Sequence, residues 1–154
     1  MATESIKNEV AEQALRTILT SDSSWRLLNR ARGNGETGVD IVAQRENTMY
    51  LIEVIGYKSA GPSRSKDFYE VFWRAISRLQ VVQEWLETYD ASDYRIVIAL
   101  PSFFLRGMAQ RQAQYEEGWR RIGEAFPELE IWYISESELQ RQQWSRPCPE
   151  GSFH

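Results

Sequence analysis

Residues 96–100 read Ile-Val-Ile-Ala-Leu, an apolar run bounded by Arg95 and Pro101. A strand with one face in water alternates polar and apolar side chains. A β-rich run without alternation is buried on both faces, as in a parallel sheet with helices above and below it. Pro101 has no amide N–H to extend the ladder, so the run stops there as a strand. This one segment asks for a central strand, parallel to a neighbour, and for amphipathic helices on either side. The chain supplies them. Ile6, Val10, Ala14, Leu15 and Ile18 recur at helical spacing and predict a first helix over 5–19. Phe68, Phe72, Ala75, Leu79, Val82 and Leu86 predict one long helix starting at Lys66. Residues 106–125 carry Met108, Tyr115, Trp119 and Ile122 on one side and predict a further helix, stopped by Pro127.

Between the first two helices lie short β-rich runs. Residues 25–32 alternate imperfectly and end in Gly33-Asn34-Gly35. Val39, Ile41 and Ala43 alternate with Asp40, Val42 and Gln44, and after Glu46-Asn47 comes Met49 to Ile55. The last two runs predict a β-hairpin, and residues 130–134 a final strand. With 154 residues, 42% of them hydrophobic, the chain can bury one core but is short for two. We expect one domain over 1–139 and a tail over 140–154, whose Gln, Pro, Gly and Ser content predicts a weak helix followed by loose chain.

Several function classes recede on composition. No apolar run approaches the roughly 20 residues that span a bilayer. Met1-Ala2-Thr3-Glu4 lacks the basic and apolar start of a secretory signal, so a cytoplasmic address is expected. Cys148 is the only cysteine and can form neither an intrachain disulfide nor a zinc pair; the only histidine, His154, is terminal and no candidate general base. A net charge of −4 excludes a uniformly basic surface for nucleic acid, though not a local basic cleft. The tryptophans sit mostly inside predicted elements, where packing explains them better than base stacking.

Two acids stand out. Glu53 is embedded in Leu51, Ile52, Val54 and Ile55, and Asp40 opens the preceding strand after Gly38. A carboxylate inside an apolar strand is costly unless paired or metal-bound, and a hairpin sets these two beside each other. Paired carboxylates suit Mg²⁺, or Mn²⁺, which would activate a water against a phosphodiester.

Gly38-x-Asp40, a hairpin, and then Ile52-Glu53-Val54-x-Gly56 resemble the core of the PD-(D/E)XK nuclease superfamily. The resemblance covers about residues 5–100. It implies a restriction-endonuclease-like, three-layer α/β/α fold with a mixed sheet and the order helix, three strands, helix, strand, here followed by an added helix and strand. It also implies a metal-dependent nuclease acting on nucleic acid, DNA in the first instance, with Asp40 and Glu53 as catalytic metal ligands. Where the superfamily has lysine, two residues after the glutamate, this chain has Ile55. Lys58, or Lys66, would then have to orient the water. Some members add an acid from the first helix, which points to Glu9 or Glu12 here.

Lys66, Glu70, Arg74 and Arg78 fall four apart along the long helix, either as a ladder of ion pairs or as a phosphate-facing row. The segment from Lys58 to Lys66, with Arg64, is basic and carries no acid, and could touch a nucleic-acid backbone. The alternative is a catalytically inactive module of the same fold that binds nucleic acid or protein. A third reading is an unrelated α/β domain in which Arg30 or Arg74 satisfies the two acids. So small a chain is expected to act as a homodimer or with a partner protein, using exposed aromatics such as Phe68, Trp73 or Trp144.

Overall fold

A computed structural model of the chain describes residues 8–30, 38–55, 63–135 and 137–146. Six strands form one open sheet in sequence order: β1 (Arg26–Leu27), β2 (Ile41–Arg45), β3 (Thr48–Val54), β4 (Asp93–Pro101), β5 (Leu129–Ile134) and β6 (Leu139–Gln143). β1, β2 and β3 pair antiparallel, β4 runs parallel to both β3 and β5, and β6 returns antiparallel to β5. The described helices are α1 (Asn8–Thr20), α2 (Ser63–Ser77), α3 (Val82–Tyr89), α4 (Leu105–Gln114) and α5 (Glu116–Ala125). Among them none is long and apolar enough to cross a membrane.

β4 has the central, doubly covered position its unbroken apolar run requires. Ile96, Ile98 and Leu100 point to one core, with Leu51, Tyr133, Phe68, Val71, Ala75, Met108 and Trp119. Val97 and Ala99 point to the other, with Ile52, Val54, Trp132 and the α1 stripe Ala11, Leu15 and Leu19. Helices therefore cover both faces, α1 on one and α2 to α5 on the other. Each fully buried Leu or Ile contributes roughly 1.5–3 kcal/mol relative to exposure.

Three segments depart from the sequence pattern. The expected long helix is broken: α2 tightens into a 3₁₀ turn at Arg78–Gln80 before α3 begins. The Ser77 hydroxyl donates to the Arg74 carbonyl at 2.6 Å, a local bond that competes with regular helix. Apolar periodicity cannot register this break, because the stripe continues across it. The expected helix over 106–125 is likewise two helices, parted at Tyr115 with φ −115° and ψ 39°.

The third departure is the tail, where a weak helix was expected and β6 forms instead. Hydrogen bonding to β5 overrides the poor strand propensity of Gln140, Arg141, Gln142 and Gln143. Arg141 is pinned over the rings of Trp25, Tyr50 and Trp132, with its Cζ 5.5, 5.1 and 5.4 Å from their centres. Trp144 follows and stacks on Trp119 at 4.0 Å. Each indole N–H of this pair donates to the other residue's carbonyl, at 2.7 and 2.9 Å. Phe68 and Trp144, expected as exposed aromatics, are thus buried, while Trp73 is open to solvent.

Candidate functional site

The hairpin brings Asp40 and Glu53 together as the pattern predicts. Ile41 pairs with Ile52, so Asp40 comes opposite Glu53 one step further on. Glu53 shares its sheet face with Leu51 and Ile55, the face covered by α2. Both acids are buried, Asp40 at 5% and Glu53 at 0% exposure. They tie the strands together reciprocally: the Asp40 amide donates to Glu53 Oε2 at 3.1 Å, and the Val54 amide donates to Asp40 Oδ2 at 2.9 Å.

Two arginines close over the pair. Arg78, on the 3₁₀ turn, forks onto Glu53: Nε donates to Oε2 and Nη2 to Oε1, both at 3.2 Å. Nη2 also donates to the Gly38 carbonyl at 2.9 Å. The tightened turn after α2 is what delivers this guanidinium. Arg74, one helical turn earlier, lies less snugly. Its Nε is 3.5 Å from Glu53 Oε1 and its Nη2 is 3.9 Å from Asp40 Oδ2, while Nη2 donates to the Val54 carbonyl at 3.4 Å. The Arg74 Nε is buried without a hydrogen bond. Burial, reinforced by the Asp40 charge, pushes the Glu53 carboxyl above its ordinary range, and Arg78 pulls against that shift.

The approach to Asp40 is braced from the other side. Arg16, buried on α1, donates to the Asp40 carbonyl at 2.7 Å and to the Asn29 carbonyl at 2.8 Å, and is paired with Glu12 at 3.1 Å. Asn29 extends the pairing of β1 and β2 with its side chain, accepting from the Val42 amide at 2.8 Å and donating to the Val39 carbonyl at 3.0 Å. The backbone around Asp40 is therefore held on both sides.

Of the expected site residues, Asp40, Glu53 and Arg74 converge. Glu70 is exposed on α2, one turn before Arg74. Arg64 and Lys66 lie in the first turns of α2 by their backbone, and Glu9 in the first turn of α1; their side chains are outside the description. Lys58 lies outside the described residues. Ile55 is buried in the core and its amide donates to the Ala99 carbonyl at 3.0 Å.

From the sequence Arg78 was read only as a member of the row Lys66, Glu70, Arg74 and Arg78, not as the partner of Glu53, and Arg16 and Asn29 were not singled out as site residues. Arg78 carried a usable signal, since a buried glutamate needs a cation and Arg74 and Arg78 sit one turn apart on the next helical segment. For the reach of Arg16 and Asn29 to Asp40 no such signal exists, because the atoms they meet there are backbone atoms. Among the described residues no group of three or more His, Cys, Asp and Glu converges. An apolar groove of about 390 Å³ opens elsewhere, on the α1 side at the ends of β4 and β5, lined by Val10, Ala14, Pro101, Phe103 and Ile134. Compared with known protein families and with curated proteins, the chain matches neither a family nor a curated relative.

Proposed function

We propose that this chain is a PD-(D/E)XK-type module of the restriction-endonuclease-like fold that binds nucleic acid without cutting it. In this reading Asp40 and Glu53 serve as counter-charges to Arg78 and Arg74 instead of metal ligands. The observation that carries it is the two-bond fork of Arg78 on Glu53. Such a planar fork is the strong form of a carboxylate–guanidinium bond.

The donor set does not fit a magnesium site as arranged. Magnesium needs near-octahedral oxygen ligands at roughly 2.0–2.1 Å. Both Glu53 oxygens already accept hydrogen bonds, from Arg78 and from the Asp40 amide. A cation would have to expel a guanidinium that also holds Gly38. Ile55, buried where the superfamily has its lysine, supports the same reading, because an aliphatic side chain neither orients water nor stabilises charge.

The fold assignment is supported by the order α1, β1 to β3, the broken helix α2 and α3, then β4, and by helices on both faces of a mixed sheet. Nucleic acid as partner is supported by the resemblance to nucleases and by the sequence of residues 58–66, which carries Lys58, Arg64 and Lys66 and no acid.

The test is a titration of Mg²⁺ and Mn²⁺ with plasmid and single-stranded substrates, run beside a mobility-shift assay. Retention of nucleic acid without cutting, under either metal, is the expected result. Metal-dependent cutting that disappears in Asp40→Ala, Glu53→Ala and Lys58→Ala would overturn this reading and make the chain a nuclease with a displaced lysine.

A further inference from the structure

We infer that the Arg74 guanidinium stands where a divalent cation would stand, so that the site carries its own fixed positive charge and takes up a divalent ion only when that side chain is removed. This rests on the reading of Asp40 and Glu53 as counter-charges and names the arginine that keeps a metal out. Three oxygens face the Arg74 guanidinium from the start of β2 and the end of β3. They are Asp40 Oδ2 at 3.9 Å, Glu53 Oε1 at 3.5 Å and the Val54 carbonyl at 3.4 Å. Two carboxylates and a backbone carbonyl are hard oxygen donors, the kind that suits magnesium and manganese.

The two arginines close the site in different ways. Arg78 forks onto both Glu53 oxygens and also holds the Gly38 carbonyl, so it bars a cation that would grip Glu53 by both oxygens. Arg74 bars the smaller claim of an ion that takes one oxygen from each acid and keeps water at its other positions, as magnesium commonly does. Glu53 Oε1 has two lone pairs, and already serves Arg78 and Arg74 at once. Arg74 fits as a substitute fits. Its contacts are all longer than the 3.2 Å bonds of Arg78, and its Nε is buried without a hydrogen bond. A guanidinium aims its N–H groups within one plane, whereas a spherical ion has no preferred plane. Charge adds to the argument. Two guanidiniums balance two carboxylates that are almost wholly buried, and the loss of Arg74 would leave one negative charge in excess there. Such a charge is costly unless a cation answers it. The Arg74 side chain is 38% exposed, so its removal opens the carboxylates to ions from solution.

The experiment is Mn²⁺ uptake by the full chain, Arg74→Ala, Arg74→Lys and the double variant Arg74→Ala/Asp40→Asn. Uptake is read as loss of the free-ion paramagnetic resonance signal and as a shift in melting temperature. The native chain and Arg74→Lys, which keeps a cation, should leave the ion in solution and melt unchanged. Arg74→Ala should take up Mn²⁺ and gain stability as its concentration rises, and Asp40→Asn should cancel both effects. Arg74→Gln, neutral and long enough to keep the stem, carries the same test if the alanine variant does not fold. If neither neutral variant takes up Mn²⁺, the inference falls while the counter-charge reading stands. If the native chain takes it up and Asp40→Asn abolishes this, both fall. Uptake by Arg74→Ala that survives Asp40→Asn, or that Arg74→Lys matches, would also overturn the inference, since the ion would then sit elsewhere or charge would not be what excludes it.

Discussion

Arg78→Met is the sharpest perturbation of the carboxylate lock, because it keeps an unbranched stem and removes the guanidinium. Glu53, at 0% exposure, would lose both forked bonds at 3.2 Å. Removing one partner of a buried ion pair costs about 3–5 kcal/mol, since the other charge stays buried without compensation. Two features set the expectation at the low end. Arg74 Nε remains 3.5 Å from Glu53 Oε1, and Glu53 can escape the penalty by taking up a proton, at about 1.4 kcal/mol for each pH unit of mismatch. We therefore expect a loss of about 3 kcal/mol at pH 7, falling to roughly half of that at pH 5, where protonation is easier. Urea unfolding at the two pH values measures this directly. The double variant Glu53→Gln/Arg78→Met should recover part of the loss, because it removes the stranded charge as well. A loss below about 0.5 kcal/mol, equal at both pH values, would refute the argument. Glu53 would then draw its counter-charge from elsewhere.

Three further outcomes are expected. Because the fold raises the Glu53 pKa above its ordinary 4.5, its contribution to stability is fully present below that value and is lost as pH rises through the folded value. Glu53→Gln should flatten this fall in a melting-temperature series across mildly acidic pH, and an unchanged slope would discount the burial effect. Asn29→Ala strands the Val42 amide that now donates at 2.8 Å; we expect destabilisation by about 1–3 kcal/mol and faster exchange of that amide with solvent deuterium. Trp144→Ala removes the ring stacked at 4.0 Å on Trp119 together with the indole N–H that donates to the Trp119 carbonyl at 2.9 Å. The expected loss is about 3–5 kcal/mol by thermal or urea unfolding, whereas a loose tail would give almost none.

Periodicity carried the sheet reading furthest where burial was most uniform. Arg95 to Leu100 allowed little besides a doubly covered strand, and the Glu46-Asn47 turn with flanking β-rich runs set the hairpin that brings Asp40 to Glu53. Periodicity failed where a break leaves the apolar stripe intact, at Arg78–Gln80 and at Tyr115, and where composition spoke against a strand that a neighbour nevertheless pairs, at Leu139–Gln143.

The sequence by itself determined that two acids would be buried side by side on adjacent strands, since strand alternation and the cost of burying charge are local properties. It also determined that a buried glutamate would require a partner. Which partner answers was decided only in three dimensions. Arg78 reaches Glu53 because the helix tightens into a 3₁₀ turn just there, and Asp40 is held because Arg16 and Asn29 arrive from two other elements. Those bonds depend on how separate elements pack, with geometry set to within an ångström, and no spacing within one segment encodes that.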